Sequence, residues 1–291
     1  MSYSERVIKD YADISDDFKK VLVKADKGGP KKTRIVIKDH NTGETLQEIE
    51  NKILVPGSQS AACKQFGILP VVDFPTYNSE LGLENSYDPY SVQPKNEPIT
   101  CLFCAGRDGF GTSPNEIFTV SNIDRIEPIN DILPFRYCSP DNDLDKDQRE
   151  VYFGRKKELN GKISYYFKSF DTEPQLHVRY LDGTEVTDKM WSINSNQQVE
   201  IYVEMRLSIN RLDFRDYFDQ VLGWDKADIS TISLLTAWYT RDIIENPDAD
   251  PADQIKYRWY QDVIPFSKFN FKAEDLQSLD RAVDFIYSVY Y

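Results

Sequence analysis

The stretch "QVEIYVEMRLSI", residues 198–209, places Val199, Ile201, Val203, Met205, Leu207 and Ile209 at every second position, with Glu200, Tyr202, Glu204, Arg206 and Ser208 between them. Successive side chains of a strand point to opposite faces, so this alternation describes a strand with one face in a core. An amphipathic helix would space its apolar residues by three and four instead. Outward from it, "EVYFGRK" (150–156), "KISYYFKSF" (162–170) and "QLHVRYLDG" (175–183) carry the strand signal, the last ending at an Asp182-Gly183 turn. "ISTISLLTAWYT" (229–240), "RWYQDVIPFSKFNF" (258–271) and "RAVDFIYSVYY" (281–291) supply three more strands. One helix interrupts them: Leu212 to Leu222 carries Phe214, Tyr217, Phe218, Val221 and Leu222 at helical spacing and stops at Gly223. The chain therefore reads as mainly β with a few helices (α+β), with residues 150–291 an antiparallel β-sandwich-like domain holding one inserted helix.

Upstream, "TRIVIKDHNTGETLQEIENKILVPG" (33–57) alternates on both sides of Asn41 to Glu44, which predicts a hairpin with Gly43 at a positive φ. Ser58 to Phe66 suits a short helix ending at Gly67. Residues 68–98 have neither period and predict a long ordered loop rich in aromatics, among them Phe74, Tyr77, Tyr87 and Tyr90. Short strands are expected at 99–105, 116–120 and 132–137. The acidic run "CSPDNDLDKDQ" (138–148) marks a boundary, so residues 31–140 form a β-rich domain of their own. Ahead of it, Val7, Ile8, Tyr11, Ile14, Phe18, Val21 and Leu22 predict a helical N-terminal arm over 1–30, docked on another subunit or packed on its own domain.

The chain of 291 residues has 48 acidic and 35 basic side chains, a net charge of −13. Such a field repels phosphate backbones and anionic lipid, so neither nucleic acid nor membrane is an expected partner. No export signal is expected at the N-terminus. Four scattered cysteines, Cys63, Cys101, Cys104 and Cys138, read as reduced thiols.

Motifs that invite chemistry meet physical objections. In "ITCLFCAGRDGFGTSP" (99–114), a redox pair would need Cys101 at a helix N-terminus, yet the run is extended, and residues three apart on a strand face opposite ways. A zinc site would need a second pair, and neither Cys63 and Cys138 nor His40 and His177 provide one. Gly106, Gly109 and Gly111 run into Thr112, Ser113 and Pro114, the wrong spacing for a phosphate cradle. Asp141, Asp143, Asp145 and Asp147 alternate like the start of a calcium loop. However, Lys146 stands where the loop needs glycine, and Tyr152 where it needs a bidentate carboxylate. A solvated acidic linker is the expectation, with adventitious divalent-ion binding at 141–150 left open. No catalytic, cofactor-binding or metal residue is assigned, and no cofactor.

The C-terminal segments "ISTISLLTAWYT", "YQDVIPFSKFNFKAEDL" and "AVDFIYSVYY", with "ENKILVPGSQSAACKQFGI" (50–68) and "EIFTVSNIDRIEPINDILPFRY" (116–137), resemble structural proteins of tailed-bacteriophage virions. The resemblance implies a non-enzymatic neck, collar, tail or baseplate component, made in the host cytoplasm and residing in the virion. Its partners would be other virion proteins, with a homo-oligomer or ring in the assembled particle. The terminal tyrosines Tyr287, Tyr290 and Tyr291 suit such contacts, since tyrosine offers large area with few rotors to freeze. The alternative is a carbohydrate-binding or carbohydrate-cleaving β-sandwich, with Trp191, Trp224, Trp238 and Trp259 as a sugar platform.

Overall fold

The computed structural model describes residues 32–51, 53–66, 76–83, 99–107, 129, 131–145, 147–180, 185–187, 199–244, 248, 250, 256–275 and 282–291. The expected arm over 1–30, the strand at 116–120, the turn at Asp182-Gly183 and nearly all of the loop at 68–98 lie outside these residues.

Among the described residues, twelve strands make two antiparallel sheets packed face to face. The first runs β2 (Thr45–Asn51), β1 (Lys32–Asp39), β12 (Ala282–Tyr290), β9 (Val199–Asn210), β7 (Gln175–Tyr180) and β8 (Glu185–Thr187). The second runs β11 (Lys256–Asp275), β10 (Asp228–Ile244), β3 (Ile99–Gly106), β6 (Ile163–Ser169) and β4 (Arg136–Cys138), with β5 (Tyr152–Lys157) also paired to β6. The alternation in the sequence sets the facing. Ile35, Tyr287 and Met205 stand abreast across β1, β12 and β9, as do Ile37, Phe285 and Leu207. All six are buried against Phe103, Ile232, Leu234, Phe269 and Phe271 of the second sheet. Aromatic edges interlock between sheets, Phe269 on Tyr287 at 5.0 Å and Phe271 on Phe285 at 5.5 Å. Each such pair adds about 0.5–1.5 kcal/mol to plain burial.

The expected boundary at 138–148 does not divide these sheets. Both contain strands from before and after it: β1 pairs with β12, and β3 lies between β10 and β6. Local composition marks a turn there, but strand pairing is non-local and ignores it. The acidic segment is itself folded, into two 3₁₀ turns at Pro140–Asn142 and Gln148–Glu150.

Helix α1 (Val55–Phe66) begins three residues before the position expected from Ser58 and packs against β11. Leu54 N–H donates to Phe266 O at 2.9 Å, and a Cβ at Gly57 would fall 2.4 Å from that same oxygen. Beside it, the Gln47 side chain donates to Lys272 O at 2.8 Å and accepts from Lys272 N–H at 3.0 Å. An amide side chain thus stands in for a neighbouring strand at the edge of β11. Short α2 (Tyr77–Leu81) covers the outer face of the second sheet, where Tyr77 packs on Phe167 and accepts from Ile129 N–H at 3.0 Å. Helix α3 (Arg211–Tyr217) starts on a capping box in which Asn210 and Asp213 serve each other's backbone. It buries Phe214 and Phe218 as expected, but Val221 is exposed. The chain widens into a π-helical turn at Phe218–Leu222, which rotates Val221 off the buried stripe.

The β1–β2 hairpin forms as expected, with Gly43 at φ 71° and Asp39 Oδ1 accepting from the N–H groups of Asn41 and Thr42. A second left-handed glycine, Gly154 at φ 70°, lies inside β5 with the Phe167 ring 2.5 Å from where a Cβ would sit. Around Gly43 the same position is open. Gly43→Ala should therefore cost only the left-handed penalty of about 1–2 kcal/mol. Gly154→Ala should cost distinctly more, because the ring must also move. Urea denaturation of the two variants checks the order.

Candidate functional site

A polar network runs through the fold around Ser208 of β9. On one side Lys168 of β6 and Asp213 of α3 are only 6% and 1% exposed. The Lys168 ammonium donates to Ser208 O at 2.7 Å and to Asp213 Oδ2 at 3.2 Å. The Tyr152 hydroxyl donates to Asp213 Oδ1 at 2.7 Å, and Asn210 N–H to Oδ2 at 2.9 Å. On the other side, Ser208 N–H donates to the Asp171 carboxylate and Ser208 Oγ to Asp284 Oδ1 at 2.6 Å. Asp284 also accepts from the Arg206 guanidinium and lies 3.1 Å from His40 Nδ1. Register explains the meeting: Asp284 of β12 lies directly opposite Ser208 of β9 and Lys38 of β1, and His40 follows β1 by one residue.

Serine, histidine and aspartate thus come together, although the sequence offered no evident route to such a set. Their order is wrong for nucleophilic catalysis. That chemistry needs the imidazole between hydroxyl and carboxylate, so that it can take the hydroxyl proton. Here the carboxylate is in the middle and receives the hydroxyl hydrogen itself. Burial alone would raise Asp284, but the hydrogen bonds from Ser208, Arg206 and His40 hold its carboxyl below the usual range. Asp171 goes the other way. Burial pushes its carboxyl up, with the charges of Asp213 and Asp284 adding, against the opposing pull of Lys168 and the Ser208 N–H. The arrangement locks β1, β6, β9, β12 and α3 together.

The acidic segment is organised by Asp143, which corrects its reading as a solvated linker. The Asp143 carboxylate accepts from Tyr165 OH at 2.7 Å, Leu144 N–H at 2.8 Å, Arg155 at 3.2 Å and Arg149 at 3.4 Å. Burial opposes ionisation, but these donors outweigh it and depress the carboxyl. Among the described residues no group of three or more His, Cys, Asp and Glu could hold a metal. Burial, then the Asp143 charge, pushes the neighbouring Cys138 thiol up to about 11. It is therefore protonated at neutral pH and a poor nucleophile.

"ITCLFCAG" is β3, a central strand of the second sheet. The four cysteines form no disulfide with one another. Cys101 and Cys104 do not face opposite ways, as an unbroken strand would have them. The pairing with β10 slips between Leu235 and Thr236, giving β3 an extra residue at Cys101, and both cysteines pack against the same outer cluster. Cys104 is buried there, with its sulfur 3.5 Å from the Tyr77 hydroxyl. Gly106 lets the Asp131 backbone approach, since a Cβ would meet Asp131 O at 2.6 Å. Gly109 and Gly111 lie outside the described residues. His177 is stacked on Tyr202 at 4.9 Å. Trp224 is engaged within its own chain: its indole N–H donates to Asp219 at 2.5 Å and the Arg211 guanidinium lies 3.8 Å above its ring. Trp191 and the side chains of Trp238 and Trp259 lie outside the description.

At the end of the sandwich where β3 begins, the sheets part around a cleft of about 310 Å³. Val203, Met205 and Val289 line it from the first sheet, Thr100, Thr236 and Phe266 from the second, and Ala61 from α1. The Thr100 and Thr236 hydroxyls bond each other at 2.9 Å. Ile99 and Tyr291, also in the lining, are exposed, as is Leu176, which lies opposite Val203 in register. The cleft holds no converging charges and suits an apolar occupant. No sequence signal pointed to it or to the Lys168–Asp213 pair, beyond the Asn210-x-x-Asp213 spacing of a helix cap. No protein-family model, curated protein or solved structure matches the chain.

Two outcomes follow from the buried charges. Asp213→Ala leaves the Lys168 ammonium buried without its counter-ion and should cost about 3–5 kcal/mol in urea denaturation, whereas Lys168→Met with Asp213→Ala should cost less than the sum. Because the folded Asp143 carboxyl titrates below its unfolded value, its contribution is full above about pH 4 and fades as pH falls through the folded value. Asp143→Asn should therefore lose less stability than the parent chain between about pH 5 and pH 3, as followed by thermal melts.

Proposed function

We propose that the chain is a non-enzymatic structural subunit of a tailed-phage virion, acting in the neck, collar, tail or baseplate through contacts with other subunits. The observation that carries this reading is the open apolar end of the sandwich, where Ile99, Leu176 and Tyr291 stand exposed around the cleft. Grouped apolar side chains beside an apolar cleft are the signature of a surface that another molecule covers. The segment resemblances in 50–68, 116–137 and the C-terminal third give the kind of assembly.

The β10–β11 ribbon supports the same reading. Among the described residues, the β3 partners of β10 end at Ala237, whereas β10 and β11 stay paired to Ile244 and Lys256, with register shifts between Thr236 and Trp238 and between Tyr239 and Arg241. The continuation spans seven β10 residues, roughly 24 Å at strand rise. Two-stranded ribbons are marginal by themselves, so this extension suits docking on a neighbour.

Cross-linking mass spectrometry of purified particles from the source tests the proposal. The expected result is this chain in fixed stoichiometry, with cross-links from the ribbon and the cleft rim to other subunits. Particles that lack the chain overturn it.

A further inference from the structure

At the far end of the molecule from the cleft, the β5–β6 turn carries Leu159, whose relative exposure is 109%. Its position is fixed by register. Lys168 and Ser169 of β6 pair with Phe103 and Leu102 of β3, and β6 starts at Ile163, roughly 20 Å further from the cleft at strand rise. The turn lies beyond that again, since Lys157 pairs with Ile163. The tip is rigid. Glu158 N–H donates to Lys162 O at 2.8 Å, Gly161 N–H to Glu158 O at 2.9 Å, and the Asn160 side chain to Tyr137 OH at 2.6 Å. The other described hairpin turn, 40–43, is His-Asn-Thr-Gly and contains no apolar side chain, as solvent favours.

We propose that Leu159 of one copy seats in the cleft of a second copy, so that the chain associates head to tail. This rests on the assembly reading above and names one partner within it, the chain itself. Size allows it: a cavity on the order of 150 Å³ holds a benzene-sized group, and the cleft is about 310 Å³. Charge favours it as well. Lys157 and Lys162 flank the tip beside the Lys156–Glu158 ion pair, and exposed Glu173 precedes Pro174 of the cleft lining. A knob at one end and a hole at the other is a heterologous contact. It repeats into a ring if the rotation closes and into an open filament if it does not.

Sedimentation velocity on the full chain tests this with two variants: Leu159→Glu removes the knob, and Ala61→Trp fills the hole. Each should weaken self-association about ten- to hundredfold, the scale that burial of one leucine supplies. Mixed together they should form pairs and nothing larger, because the first keeps an intact cleft and the second an intact tip. If circular dichroism finds Ala61→Trp unfolded, Ile99→Arg takes its place. A parent chain that is monomeric at its highest soluble concentration, variants that associate like the parent, or folded variants that fail to pair each overturn the contact. Such a failure leaves the chain in purified particles, whereas failure of the assembly reading removes it from them.

Discussion

The fold depends on where its last strand goes. β12 inserts between β1 and β9, forming eight register pairs with the first and nine with the second, and without it the first sheet falls into two pieces. Its inward side chains, Val283, Phe285, Tyr287 and Val289, are a continuous part of the core between the sheets. The Tyr287 hydroxyl crosses that core to Ser267 of the second sheet, so a polar bond pins the two layers where slippage would otherwise cost little. Burial drives the phenol pKa up, which keeps the group neutral and able to remain there.

The outward side of the same strand organises the polar groups. Asp284 gathers Ser208, Arg206 and His40, and through Ser208 the network continues to Lys168, Asp213 and Tyr152. Buried ion pairs are poor sources of net stability but penalise alternatives in which either partner is left alone. This network therefore fixes how β6, β9, β12 and α3 sit relative to one another. The strands it fixes carry the β5–β6 turn at one end of the sandwich and the apolar opening at the other.

Legibility in the sequence varied with how local the cause was. The alternation in 198–209 identified β9 and its buried face, and the Asn41 to Glu44 cluster identified a turn with Gly43 left-handed. The aromatic spacing in 212–222 found the helix and its stop at Gly223 but not its widening, because nothing local announces a π turn at Phe218. The bulge at Cys101 was equally invisible, since it is set by how β3 registers on Leu235 and Thr236 of a strand more than a hundred residues away. The acidic run at 138–148 misled for the opposite reason. Its composition is that of a linker, but its fate turned on Arg149, Arg155 and Tyr165 converging on one carboxylate.

By itself, then, the sequence determined the mainly β class, most strand positions and the faces those strands bury, because side-chain alternation and turn chemistry act over a few residues. Only the tertiary structure decided that both sheets combine strands from before and after the acidic segment, that Ser208, Asp284, Lys168 and Asp213 meet, and that one end of the sandwich opens into a cleft. Those are facts of pairing between distant segments. No window of sequence contains both partners of a non-local contact.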